Sequence, residues 1–229
     1  MISPLLANVY LHYVLDVWFA RDVKPLLKGR SFLVRYADDF VMGFACEEDA
    51  RRVLAVLPKR FGKYGLTVHP DKTRLVPFPQ PARQSDRSPS RGASQPGTFD
   101  LLGFTHSWGR SRKGFWVVKR QTAQGRLSRA ITRIAQWCRL HRHDPVAEQH
   151  RTLSQKLRGH YAYYGITGNG SALAGFRHAV TCIWKKWLAR RRRRGFLSWD
   201  TFGRLLKRFS LPAAIVVHSV YRRAREPET

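Results

Sequence analysis

The chain has 229 residues, with 42 Lys and Arg against 15 Asp and Glu, and a formal net charge of +27. That length suffices for a buried core, and seven Trp, eight Tyr and thirteen Phe exclude a wholly disordered basic tail. The charge excludes a neutral metabolic enzyme as the default reading and calls for a polyanion, of which nucleic acid is the commonest.

The opening segment, Met1–Phe19, is apolar, but Asn8, His12 and Asp16 interrupt it. A spanning helix needs roughly 20 mostly apolar residues, so a buried amphipathic helix is predicted, and no membrane partner. Leu5, Leu6, Val9 and His12/Tyr13 define its face, and Ser3-Pro4 its start.

Phe32–Ala45 reads FLVRYADDFVMGFA, two β-rich runs around a short Ala-Asp-Asp connection, which predicts a hairpin. Glu47, Glu48 and Asp49 then suit a helix N-terminus. Ala50, Val53, Leu54, Leu57 and Phe61 keep helical spacing, Pro58 should kink the helix, and Gly65 should end it. Leu66–Val68 and Thr73–Val76 are short strand candidates, and 77–98 is a Pro/Ser-rich loop. A second hairpin is predicted over Phe99–His106 and Phe115–Lys119. From about Thr122 the period becomes helical, with Leu127, Ile131, Ile134 and Cys138 sharing one face, and further helices fit Val146–Tyr164, Ala172–Arg191 and Trp199–Phe209.

Charge is uneven along this order. Residues 101–229 hold 27 Lys and Arg against 5 Asp and Glu, a net of +22, which leaves +5 for residues 1–100. Three cysteines, at 46, 138 and 182, have no CxxC spacing. This excludes a zinc ligand set and a disulfide-stapled secreted scaffold, and fits a reducing cytoplasm.

The stretch richest in chemistry is Tyr36-Ala37-Asp38-Asp39. Two adjacent carboxylates held between apolar strands make a rigid site for a hard divalent cation, and two such ions clamp the oxygens of an in-line phosphoryl displacement. A plain polar turn is the competing reading, since turns use Asp freely. The apolar flanks on both sides weigh against it.

YADD in a hairpin resembles the catalytic motif of reverse transcriptases, and its surroundings resemble the group II intron type. Ile2-Ser3-Pro4-Leu5-Leu6-Ala7-Asn8-Val9-Tyr10-Leu11-His12 resembles the helix before that hairpin. Tyr64-Gly65-Leu66-Thr67-Val68-His69-Pro70-Asp71-Lys72-Thr73 resembles the next block. Phe99-Asp100-Leu101-Leu102-Gly103-Phe104-Thr105 resembles the last palm block, and Leu157–Gly165 (LRGHYAYYG) the maturase-specific thumb. The resemblance covers most of residues 2–210. It implies an RNA-directed DNA polymerase that takes Mg²⁺ at Asp38 and Asp39, with intron RNA, RNA template, DNA primer and dNTP as partners. The family's earlier catalytic Asp, its Gln-Gly and its fingers have no counterpart here, and Asp16, Asp22 and Asp71 do not lie in the missing motif. An N-terminally truncated form is therefore expected.

The expected fold is α+β: an incomplete palm over residues 1–120, then an α-helical thumb over 121–229. Lys72 is a candidate phosphate contact or a solvated turn lysine, and Gly103 a candidate for close backbone approach to a primer. Lys119, Arg120, Arg129, Arg133, Arg158, Lys185, Lys186, Arg190 and Arg191 are nucleic-acid-binding candidates by charge. Tyr161, with Tyr163 and Tyr164, is a candidate for stacking on unpaired bases, with core packing as the alternative for at least one of them. A non-catalytic RNA-binding module and a decayed fragment are the rival readings of the whole.

Overall fold

The computed structural model describes residues 3–81, 96–111, 113–191 and 196–219. The fold is α+β, and the chain divides into two compact units, Met1–Leu102 and Gly103–Thr229.

In the first unit, helix α1 (Ser3–Leu11) runs on through widened π-helical turns, His12–Val17 and Phe19–Val23, into a tight turn at Lys24–Leu26. The hairpin follows as β1 (Ser31–Tyr36) and β2 (Asp39–Phe44), antiparallel, with Tyr36 opposite Asp39. Strand alternation puts Leu33, Arg35, Phe40, Met42 and Phe44 on one face. The apolar residues of that face pack on Val14, Leu15, Trp18, Phe19 and Val23, and on Val53, Leu57 and Phe61 of α2 (Glu47–Lys63).

The predicted buried helix is half right in place and wrong in depth. α1 buries no residue, and Leu5, Leu6, Val9 and Tyr13 are exposed. The core of this unit is assembled from α2 and the inner face of the hairpin, and it covers only the stretch from Val14 onward. Pro58 does not break α2. It lies on the exposed side, where a missing backbone N–H costs least. Leu66–Val68 and Thr73–Val76 form no strand; Leu66 and Val68 are anchored to the core, and backbone bonds from Lys72 and Thr73 to the His69 carbonyl turn the chain between them. Most of the predicted 77–98 loop lies outside the described residues.

A short strand β3 (Phe99–Leu101) ends the first unit. The second hairpin is shifted from its predicted bounds to β4 (Phe104–Arg110) and β5 (Trp116–Thr122). The break falls at Leu102 and Gly103, whose φ angles of 51° and 77° are incompatible with a continuing strand. Helices α3 (Gln124–Leu140), α4 (Val146–Tyr164), α5 (Gly170–Ala189) and α6 (Trp199–Arg208) complete the second unit. Their facing stripes interlock in one core of Ile134, Cys138, Leu153, Leu157, Tyr161, Leu173, Phe176, Val180, Trp184 and Phe202. Among the described residues no helix is long and apolar enough to cross a membrane.

Candidate metal centre and nucleic-acid surface

The hairpin apex carries the acids. Ala37 and Asp38 form its two-residue turn, and Ala37 takes a φ of 53°, an uncommon conformation for a residue with a side chain. Arg35 holds the apex in this shape. Its guanidinium forks onto Asp16, with Nε to Oδ1 at 2.8 Å and Nη2 to Oδ2 at 2.7 Å. Its Nη1 donates to the Ala37 carbonyl at 2.9 Å and to Asn8 Oδ1 at 3.0 Å. One side chain thus ties the strained turn to the N-terminal helical segment. The hydrogen bond from Arg35 holds the Asp16 carboxyl below its usual range, against the cost of burial and with help from His12.

Asp38 and Asp39 are both exposed, and among the described residues neither enters an ion pair or a side-chain hydrogen bond. In a chain of net charge +27, two adjacent carboxylates without a cationic partner stay open to an outside cation. Asp39 shares its face with Tyr36, Val34, Val41, Phe32 and Gly43, while Asp38 sits in the turn itself. A side chain at Gly43 would collide with the Phe32 ring, which lies across that position. Exposed oxygens of this kind suit Mg²⁺, which keeps waters and binds through one or two carboxylates. Among the described residues no group of three His, Cys, Asp or Glu gathers around them or elsewhere.

Lys72 is exposed in the turn after His69. Gly103 belongs to the second unit, where its carbonyl accepts from Ala123 N at 2.9 Å. A Cβ there would stand 3.1 Å from the Tyr164 hydroxyl, so what approaches this glycine is a tyrosine of its own unit. Burial, then Tyr163, pushes the Tyr164 hydroxyl up, while Arg126 and Arg129 oppose the shift. Tyr163 is 55 % exposed and stacks on Phe104 with centroids 6.1 Å apart.

Tyr161 takes the core-packing alternative. It is 1 % exposed, lies in the helical core and donates to the Pro212 carbonyl at 3.2 Å, so no base can reach its ring. Lys119 and Arg120, opposite Ser107 and His106, lie on opposite faces of the β4–β5 hairpin. Arg129, Arg133 and Arg158 are exposed on α3 and α4. Arg191 is engaged at home, donating to the carbonyls of Asp144 at 3.1 Å and His143 at 3.2 Å. Arg190 lies over Trp187 at 4.7 Å, Lys185 over Trp199 at 4.4 Å, and Lys186 is exposed. Arg112 and Arg192–Arg194, also part of the basic clusters, lie outside the described residues.

Three side chains that hold turns and loops in place escaped the motif search: Arg35, Asp49 and Asn169. Asp49 is buried and accepts from Lys28 N at 2.9 Å and Gly29 N at 3.0 Å, which fixes the loop leading into β1. For Arg35 a signal existed, since strand alternation sends it to the same inward face as Leu33, where a charge demands a partner.

Helices and two antiparallel hairpins give the chain its class, α+β, with an exposed carboxylate pair at the apex of the first hairpin. Residues 1–106 match the family model of reverse transcriptase (RNA-dependent DNA polymerase), a span that includes Asp38, Asp39, Lys72 and Gly103. No curated protein matches the chain.

Proposed function

We propose that this chain is the palm and thumb of a group II intron-type reverse transcriptase, with residues 1–120 as palm and 121–229 as a maturase-like, RNA-binding thumb. The observation that carries this reading is the unpaired Asp38–Asp39 apex inside the span similar to reverse transcriptase. In this reading Asp38 and Asp39 hold Mg²⁺ together with the phosphates of an incoming nucleotide. The metal supplies charge stabilisation for the oxygens of phosphoryl transfer. The protein's own part is positional: Arg35 fixes the turn against Asp16 and Asn8, so the carboxylates need not reorganise on binding. The cationic half supplies sequence-independent contacts to template and primer phosphates.

Primer extension on an RNA template with Mg²⁺ and dNTP, by the chain alone and with an upstream palm-and-fingers fragment added, tests the reading. Asp38→Ala should lower incorporation by at least about 100-fold, since loss of a metal ligand removes several kcal/mol of transition-state stabilisation. RNA affinity should stay unchanged. Equal incorporation by wild type and Asp38→Ala overturns the metal assignment. The second reading, a non-catalytic RNA-binding module, is favoured by the net charge of +22 on residues 101–229. It predicts no incorporation by the wild type with or without that fragment, but salt-sensitive RNA binding, indifferent to both aspartates.

A further inference from the structure

We infer that the α5–α6 corner is a stacking site for unpaired bases of single-stranded RNA, centred on Trp199. The inference rests on the RNA-binding reading and assigns it a surface and a class of RNA. Trp199 opens α6, is 56 % exposed, and carries the Lys185 ammonium 4.4 Å from its ring centroid. Phe196, three residues earlier, is 72 % exposed. On a chain of net charge +27 the cation against this open ring is Lys185, from the C-terminal part of α5, while Arg190 just past α5 lies over Trp187.

The ring is held from beneath. Trp199 meets Phe202 edge-on at 6.0 Å, Phe202 meets Trp184 at 5.8 Å, and the Trp184 indole donates to Gln149 Oε1 at 2.9 Å. Phe202 and Trp184 are fully buried. Upstream, Ser198 caps α6 by accepting from Thr201 N at 3.2 Å. Trp199 is therefore a preorganised aromatic surface on a rigid base, with one ammonium already at its face. Stacking on an aromatic plus a cation for the adjoining phosphate is the recognition chemistry of single strands, because bases in a duplex are stacked on each other. The same residues do not suit a duplex groove, which is read by phosphate and sugar contacts without an aromatic platform.

The experiment uses the full chain and two probes, a fluorescein-labelled oligo(U) and a duplex RNA of equal length, read by anisotropy. Trp199→Ala should weaken oligo(U) binding by about 5- to 150-fold, the range for loss of one stacked base. Duplex affinity should stay within about twofold, and Trp199→Phe, which keeps a ring, should recover most of the loss. Oligo(U) affinity unchanged in both Trp199→Ala and Phe196→Ala overturns the inference, as does an equal loss on both probes. Loss of binding to anionic phosphatidylserine vesicles with oligo(U) binding intact overturns it as well and makes the corner a lipid contact. A wild-type chain that binds neither RNA sinks the RNA-binding reading itself, which is a different result from binding that ignores Trp199.

Discussion

Arg35 has the largest set of dependants in the first unit. Its fork serves Asp16, Asn8 and the Ala37 carbonyl at once, and its side chain is 13 % exposed. Arg35→Ala should lower the stability of this unit by about 2 kcal/mol, the scale of hydrogen bonds to a charged group, measured by urea unfolding. Arg35→Lys should not restore it, because an ammonium lacks the fork. The pH sign follows from the lowered Asp16 carboxyl. The contribution is complete above the unfolded carboxylate value and disappears as pH falls through the lower folded one, and Asp16→Asn should remove that acid limb. His160 behaves in the same direction for another reason. Burial pushes its imidazole down to about 4, its ring stacks on Phe176 at 3.9 Å, and its Nε2 is buried without a partner. Folding then favours the neutral ring, so stability is full above the unfolded value near 6.5 and declines towards about 4. His160→Phe keeps the stack, cannot titrate, and should flatten the thermal midpoint across that interval.

Among the elements, the end of β5 is joined to the α4–α5 turn by one buried amide. Asn169 accepts from Thr122 N at 2.9 Å and donates to Thr122 Oγ1 and to the Tyr164 carbonyl, both at 2.8 Å. Removing it strands a buried backbone N–H and a carbonyl. Asn169→Ala should cost about 3 kcal/mol, read as a lowered denaturant midpoint with an unchanged slope, whereas an exposed polar change such as Gln155→Ala should be near neutral. The helices of this unit were legible from periodicity because each has a stripe that the core then uses; Val146–Tyr164 was bounded to the residue by Gly165. The strands were less legible. β4 is half-buried on both faces, β5 mixes exposed and half-buried positions without alternation, and the start of β4 was set by the backbone turn at Leu102–Gly103 rather than by composition.

At the scale of the molecule, the net charge of +27 makes one quantitative demand. A protein engaging about six phosphates of a single strand loses roughly 10²- to 10³-fold in affinity between about 50 and 200 mM salt. RNA binding by the full chain should follow that slope, and Asp38→Ala with Asp39→Ala should leave it unchanged. A flat salt profile would show that the cationic half is not the binding surface.

The sequence alone determined the acids at a hairpin apex, the helical stripes of residues 122–209 and the cationic bias of the second half. Each is a local or additive property: a two-residue period, a 3.6-residue period, a sum of charges. Tertiary structure alone decided which apolar faces find a partner, leaving α1 exposed while Val14 and Leu15 are buried. It also decided which charges are already engaged, turning Arg35 inward to Asp16 and tying the exposed Arg191 to the backbone carbonyls of Asp144 and His143. Among three neighbouring tyrosines it chose Tyr161 for the core and left Tyr163 outside. Residues so close in sequence share their composition, and only the helix packed against them distinguishes one side of the turn from the other.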